Sequence, residues 1–265
     1  MTEPRTSRLV AQRDGAIGWI TLNNPARHNA VSLDMWQGLH EAVDAFAQDD
    51  GVRVIVLRGA GAKAFASGAD ISEFEEKRAT AEAVAKYGEV ADGARAALRD
   101  VNKPTIAMIQ GYCVGGGLSL ALNCDLRIAA EGSRFAVPAA KLGLGYEFEG
   151  VRRLVQVVGP AFAQEIFFTA RQFSAPEALA MGLVNRVVPA EGLEEHVREY
   201  AATIARNAPL TVASIKTIVA EALKDERDRD MDLCRDVVAR CFASEDYVEG
   251  RQSFMEKRQP AFRGR

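Results

Sequence analysis

Apolar and polar positions alternate in short blocks along the chain, and the length and period of each block predict an element. Residues 8 to 22, RLVAQRDGAIGWITL, hold two apolar runs separated by Asp14-Gly15, the strongest short signal for a two-strand hairpin. Leu33, Trp36, Leu39, Val43 and Phe46 then recur at helical spacing behind Ser32, a good N-cap residue. The β-branched run VRVIVLRG (52–59) predicts a buried strand, and residues 59–70 a loop rich in glycine and alanine. Polar helical sequence runs on to about Asp100, followed by a strand in PTIAMIQG (104–111) and another in DLRIAA (125–130). Strand, helix, strand, helix, strand is the pattern of a partly parallel sheet, so the fold class is α/β. From Pro160 the sequence is mainly helical, with AFAQEIFFTA, APEALAMG, a short strand in LVNRVVP and helices up to Lys257. No low-complexity linker and no repeat is visible. The expected division is an α/β core over residues 1–200 and a C-terminal helical subdomain over 201–265.

Composition narrows the function. A chain of 265 residues can bury one large α/β core with a smaller appendage. None of its apolar runs approaches the roughly 20 residues a membrane span requires. The 33 basic residues are interspersed with 36 acidic ones, for a net charge of -3, which speaks against general nucleic-acid binding. The start, MTEPRTSRLV, lacks the apolar stretch of a secretory signal, so cytoplasmic residence is expected. Cys113, Cys124, Cys234 and Cys241 form no CxxC pair and have no nearby histidine pair, so they read as buried thiols.

Two glycine turns each follow a predicted strand: AFASGADI (64–71) and GYCVGGGLSL (111–120). In open α/β sheets, ligands bind in the crevice beyond the carboxyl ends of the strands, and both turns are expected to face it. Glycine lets backbone N–H groups approach a ligand, and a helix starting there adds unpaired donors. The phosphate motifs GxxxxGK[ST] and GxGxxG with a following acid are both missing. Two donors arriving from separate loops suit a single oxygen, as in an oxyanion hole for an enolate or tetrahedral intermediate. The plainer reading is that the glycines only permit tight helix–strand packing.

The segment IAMIQGYCVGGGLSLALNCDL resembles the signature of the enoyl-CoA hydratase/isomerase (crotonase) superfamily. NNPARHNAVS, AFASGADISEF, APEALAMGLVNRVV and SEDYVEGRQSFMEKRQPAF extend the resemblance over nearly the whole chain. It implies a crotonase-like ββα superhelix with a C-terminal helical trimerisation subdomain, assembled as a homo-oligomer, a trimer or dimer of trimers. It also implies an acyl-CoA thioester as substrate, coenzyme A being part of that substrate, with no separate cofactor and no metal. The oxyanion donors would be the backbone N–H groups of Ala69, after Gly68, and Gly116, after Gly115. The SGADI loop would cradle the adenine with Ala66, Asp70 and Ile71. Arg27, His28 and Ala30 would meet the coenzyme A phosphates and pantetheine, and Phe254 and Lys257 would reach coenzyme A from the last helix.

One departure from the resemblance bears on the reaction. Related hydratases use two glutamates, at the positions held here by Ser119 and Ala139, and neither of these residues is an acid or base. The nearby segment KLGLGYEFEG offers Tyr146, Glu147 and Glu149 instead. By resemblance Tyr146 aligns with a tyrosine that orients a leaving carboxylate in methylmalonyl-CoA decarboxylase. Glu147 aligns with an aspartate that acts as base or nucleophile in dienoyl-CoA isomerases and an aryl-CoA dehalogenase. Against these stand plainer readings: Tyr146 as a partly buried ring, Glu149 as a helix-start charge, Cys113 as a small hydrophobe. His40 and His196 read as surface residues. Decarboxylation or double-bond isomerisation is therefore expected ahead of hydration by Glu147 and Glu149, with a catalytically silent acyl-CoA binder as the alternative class.

Overall fold

The computed structural model describes residues 6–70 and 80–265. The predicted hairpin forms from β1 (Leu9–Asp14) and β2 (Ile17–Leu22), with Asp14 opposite Ile17 across the turn. Helix α1 (Leu33–Gln48) follows. Ser32 occupies its cap position, but the hydroxyl donates to the Asp34 carboxylate and caps no backbone N–H, a departure from the expected cap.

From here the chain winds in repeating turns of strand, strand and helix. Strands β3 (Val54–Gly59) and β4 (Ala64–Ala66) lead to α2 (Ala81–Asp100). The next turn is β5 (Thr105–Ile109), β6 (Tyr112–Val114) and α3 (Gly116–Asn123), and the third is β7 (Leu126–Ala130), β8 (Arg134–Ala136) and α4 (Phe148–Thr169). The first strand of each turn joins one sheet and the second joins another. The large sheet has the order β1-β2-β3-β5-β7-β10 and the small one β4-β6-β8-β9, with β9 at Phe173–Ser174 and β10 at Arg186–Val188. No repeat was visible in the sequence because β4, β6 and β8 are three residues each, too short to leave a period. Helix α4 starts earlier than the expected helix at Pro160 and breaks at Gly159, where φ is 75°.

Alternate residues of the large sheet feed two apolar layers, which is why its strands read as continuous apolar runs. Ile55, Leu57, Ala107 and Ile109 face α1, α2, α3 and α4. Val54, Val56, Ile106 and Met108 face the opposite side, where Leu193, Val197 and Ala201 of α6 (Leu193–Ala205) cover them. The division expected at residue 200 thus falls inside a helix that packs on the sheet. His196 of this helix is partly buried, with Nε2 shut from solvent and without a hydrogen-bond partner among the described residues, not the surface residue expected. His40 is exposed and lies 3.4 Å from Asp44. Helices α7 (Pro209–Ala222), α8 (Met231–Phe242) and α9 (Glu245–Glu256) follow, and none of the described helices is long and apolar enough to cross a membrane.

The carboxyl end of α3 is held by cations. Buried Arg127 donates from Nη1 to Cys124 O at 2.8 Å and from Nε to Leu183 O at 2.8 Å, and Arg153 Nε donates to Leu122 O at 2.8 Å. Positive charge beside free helix carbonyls is favourable. Burial brings the Arg127 guanidinium down to about 10. Asp125 ties the adjacent strands together, accepting from Thr105 N at 2.7 Å, Thr105 Oγ1 at 2.9 Å and Lys216 Nζ at 2.8 Å.

Cys113 and Cys124 are fully buried, and burial raises both thiols, Cys124 to about 12. Because the thiolate is the reactive form, a disulfide reagent at neutral pH is expected to label the partly exposed Cys234 and Cys241 in the native protein and all four cysteines after denaturation; native labelling of Cys113 would contradict this packing.

A pH signature comes from helix α5 (Ala175–Ala180), whose capping box pairs Ser174 with Glu177. The backbone N–H and hydroxyl of Ser174, then Arg171, lower the Glu177 carboxyl from its usual 4.5 to about 2. A carboxylate with a lowered folded-state pKa adds stability above its unfolded pKa, and that stability is lost as pH falls toward the folded value. Glu177→Gln is therefore expected to lower the melting temperature at neutral pH, with the gap to the wild-type protein closing between about pH 4.5 and 2.

Candidate active site

The glycine triplet does three different jobs. Gly115 turns the chain from β6 into α3 at φ 54° and ψ −117°, a conformation closed to side chains of L-residues. Gly117 brings the helix against β4, since a methyl there would lie 2.2 Å from Ala66 O. Gly116 faces the neighbouring loop: a Cβ on it would stand 3.3 Å from the backbone nitrogen of Ala69. Because β4 and β6 are parallel neighbours in the small sheet, the loops after them emerge side by side.

The orientation of Ala69 follows from its partner. Val31 N–H donates to Gly68 O at 2.8 Å, and Asp70 N–H donates to Val31 O at 3.0 Å, a parallel bridge centred on Ala69. Residues 68 and 70 use their groups on Val31, so the N–H of Ala69 points to the opposite side, where α3 begins. Gly116 opens the first turn of α3, where no intrahelical acceptor exists. Among the described residues neither N–H has an acceptor, and the two residues face each other closely across the loops.

The loop expected to meet coenzyme A lies beside this one. After a 3-10 turn at Pro25–Arg27, His28 and Asn29 both adopt left-handed φ, 51° and 55°. Asn29 is fully buried. Its amide donates to Ala60 O at 3.0 Å and Ala64 O at 2.7 Å and accepts from Asn24 N at 3.0 Å, so it pins the loop to the root of β4. Asn29 falls within the stretch Arg27 to Ala30 that the resemblance places at coenzyme A, but the only sequence signal of its anchoring role is that asparagine tolerates this backbone region better than most residues. Ser67 N–H donates to His28 O at 3.0 Å, and Arg27 Nη1 reaches the buried Asp70 carboxylate at 3.0 Å. Arg27, His28, Gly68, Ala69 and Asp70 are thus brought together. Ala30 and Ala66 belong here only through their backbone, because both methyl groups are buried. Ile71 lies outside the described residues.

The positions of the expected acid and base are bare. Ser119, half-buried one turn into α3, donates its N–H to Gly115 O at 3.0 Å. Ala139 is buried in the 3-10 turn Pro138–Leu142. Tyr146 is half-buried, its ring centroid 4.9 Å from that of Phe167 and its edge against Gly150. Burial raises its hydroxyl pKa, with Arg95 opposing. Glu147 is exposed at the cap of α4 and its carboxylate bonds no backbone N–H of that helix. Glu149, in the first turn of α4, pairs with Arg152 at 2.9 Å, in keeping with a helix-start charge. Phe254 and Lys257 are exposed on α9 and at its end. Phe254 lines a cleft of about 830 Å³ with Phe242 and Met255, and none of Arg27, Ala69 or Gly116 borders it.

The enoyl-CoA hydratase/isomerase family matches residues 12–265 of this chain. The short-chain-enoyl-CoA hydratase of Clostridium acetobutylicum is 33% identical over 252 residues, covering 95% of this chain and 96% of the relative. The carnitinyl-CoA dehydratase of Salmonella typhimurium is 37% identical over 264 residues, covering 97% and 98%. Among solved structures, an enoyl-CoA hydratase/carnithine racemase from Magnetospirillum magneticum is 40% identical with a TM-score of 0.93, over 98% of this chain and 97% of the other. The enoyl-CoA hydratase of Bacillus anthracis is 31% identical with a TM-score of 0.92, over 98% and 100%. With its turns of strand, strand and helix and its C-terminal helices, the chain belongs to the enoyl-CoA hydratase/isomerase (crotonase) superfamily.

Proposed function

We propose that the protein binds an acyl-CoA thioester with its carbonyl oxygen between the N–H groups of Ala69 and Gly116, and stabilises the enolate in a reaction that needs at most one side-chain acid or base. The observation that carries this reading is the close approach of two backbone N–H groups without an acceptor among the described residues, beside positions 119 and 139 that hold serine and alanine. A donor of this kind lowers the barrier by roughly 3 to 4 kcal/mol. Decarboxylation fits best. As the bond to the leaving carboxylate breaks, CO2 departs and the electron pair passes through the α-carbon to the thioester oxygen; a solvent proton then quenches the α-carbon. Tyr146 would orient the carboxylate. Isomerisation follows, with Glu147 moving one proton along one face.

Hydration or dehydration is the second reading, supported by the names of the relatives and by the exposed Glu147 carboxylate. Arg27 beside Asp70 supports coenzyme A binding at that loop. The exposed Phe242, Phe254 and Met255 support association through this face; a trimer or dimer of trimers, with Phe254 and Lys257 reaching coenzyme A, is what the superfamily resemblance implies.

Gly116→Ala tests the hole. The backbone of Gly116 accommodates a side chain, and its methyl group would intrude between the two donors. Turnover is expected to fall roughly 100-fold or more while affinity for free coenzyme A stays unchanged; unaltered turnover would remove the hole from the mechanism. The reaction is read by mass spectrometry with crotonyl-CoA, a 3-enoyl-CoA, a dienoyl-CoA and methylmalonyl-CoA. Loss of CO2 or a shifted double bond with crotonyl-CoA untouched is the expected result, with Tyr146→Phe slowing the former and Glu147→Gln the latter. Rapid hydration of crotonyl-CoA abolished by Glu147→Gln would establish the second reading, and silence across the panel a binder without turnover.

A further inference from the structure

Ala69 is aimed by Val31, and Val31 is itself held from behind. Tyr87, on α2, is 4% exposed and donates its hydroxyl to Val31 O at 3.2 Å, the same oxygen that accepts Asp70 N–H at 3.0 Å. The Tyr87 oxygen in turn accepts the indole N–H of Trp36, 1% exposed, at 3.0 Å. Arg95 lies over that indole, 5.2 Å from its centroid. A buried chain of hydrogen bonds therefore runs from α1 through α2 to the strand residue that brackets Ala69. Each link in such a chain polarises the next, so the Trp36 bond strengthens the donation from Tyr87.

We infer that Tyr87 is a positioning residue for the Ala69 N–H: by fixing Val31 O it holds the loop 68–70 at the angle at which Ala69 and Gly116 address one oxygen. The inference rests on the oxyanion reading of these two groups. Among the described residues the loop is also held by the Val31 bonds to residues 68 and 70, by Ser67 N–H on His28 O and by the side-chain contacts of Asp70 and Ser67. Val31 is fully buried, so no water stands in for a lost donor there. Small misplacements of a catalytic dipole are costly, because its effect depends on preorganised direction more than on binding. Tyr87 thus acts on the polarisation of the thioester and not on the affinity of the ester.

The test uses the full-length protein with butyryl-CoA carrying a carbonyl-13C label, a saturated thioester that reports polarisation without turning over, read by isotope-edited infrared difference spectroscopy. Wild-type protein is expected to move the bound carbonyl stretch to lower wavenumber. Tyr87→Phe is expected to cut that shift by about half, since one of two donors is misaligned, with the dissociation constant unchanged. Trp36→Phe leaves the Val31 bond but removes the donor to Tyr87 Oη, and gives a smaller loss in the same direction; it carries the test if Tyr87→Phe does not fold. A purely structural role predicts lower melting temperatures in both variants with the full carbonyl shift retained, and that result overturns the inference. A wild-type spectrum without any shift overturns the oxyanion reading itself, and the inference with it.

Discussion

The close approach of α3 to β4 is the constraint on which the site depends. With a methyl at position 117 the helix would strike Ala66 O, and the start of α3 would be pushed away from Ala69. Two backbone donors can converge only because the chain gives up a side chain at that contact. Strand pairing of β4 with β6 sets the loops side by side; the bare helix surface closes the remaining gap. Gly116 is then held by the start of a helix and Ala69 by a bridge to Val31, so both backbones are placed by the fold itself.

The other end of α3 is fixed with equal care. Arg127 and Arg153 sit on its last carbonyls, and Arg127 does so from a fully desolvated position with carbonyl oxygens as its hydrogen-bond partners. The free N–H groups and the free carbonyls of a helix are opposite ends of one dipole. Satisfying the carbonyl end with protein cations leaves the amino end as the unsatisfied pole, and that is the pole turned toward Ala69.

Much of this was legible in the sequence, for physical reasons that differ by element. The hairpin around Asp14-Gly15, the helix from Leu33 and the strand ending at Gly59 follow from period and turn chemistry, which are local. The two glycine turns after two strands point to a site for a single oxygen, and the superfamily resemblance alone implies that Ala69 and Gly116 are its donors. The small sheet was missed because its strands of two or three residues carry no period. Asn29, Tyr87 and Val31 were missed because their roles lie in contacts across dozens of residues: Asn29 with Ala64, Tyr87 with Val31, Val31 with Ala69. His196 reads as exposed because its place on a helix does not reveal which face meets the sheet; Leu193, Val197 and Ala201 of the same helix pack on the strands.

The segment from Pro138 to Glu149 belongs to neither sheet. It leaves β8 as a 3-10 turn, runs through exposed Leu142 and Leu144, and rejoins the fold at the start of α4. Ala139, Tyr146, Glu147 and Glu149 lie on it, and Ser119 lies on α3. Substitutions at the segment's exposed positions, Leu142, Leu144 and Glu147 among them, therefore leave the pairing of both sheets intact, whereas a change at Ser119 acts inside the packing of α3.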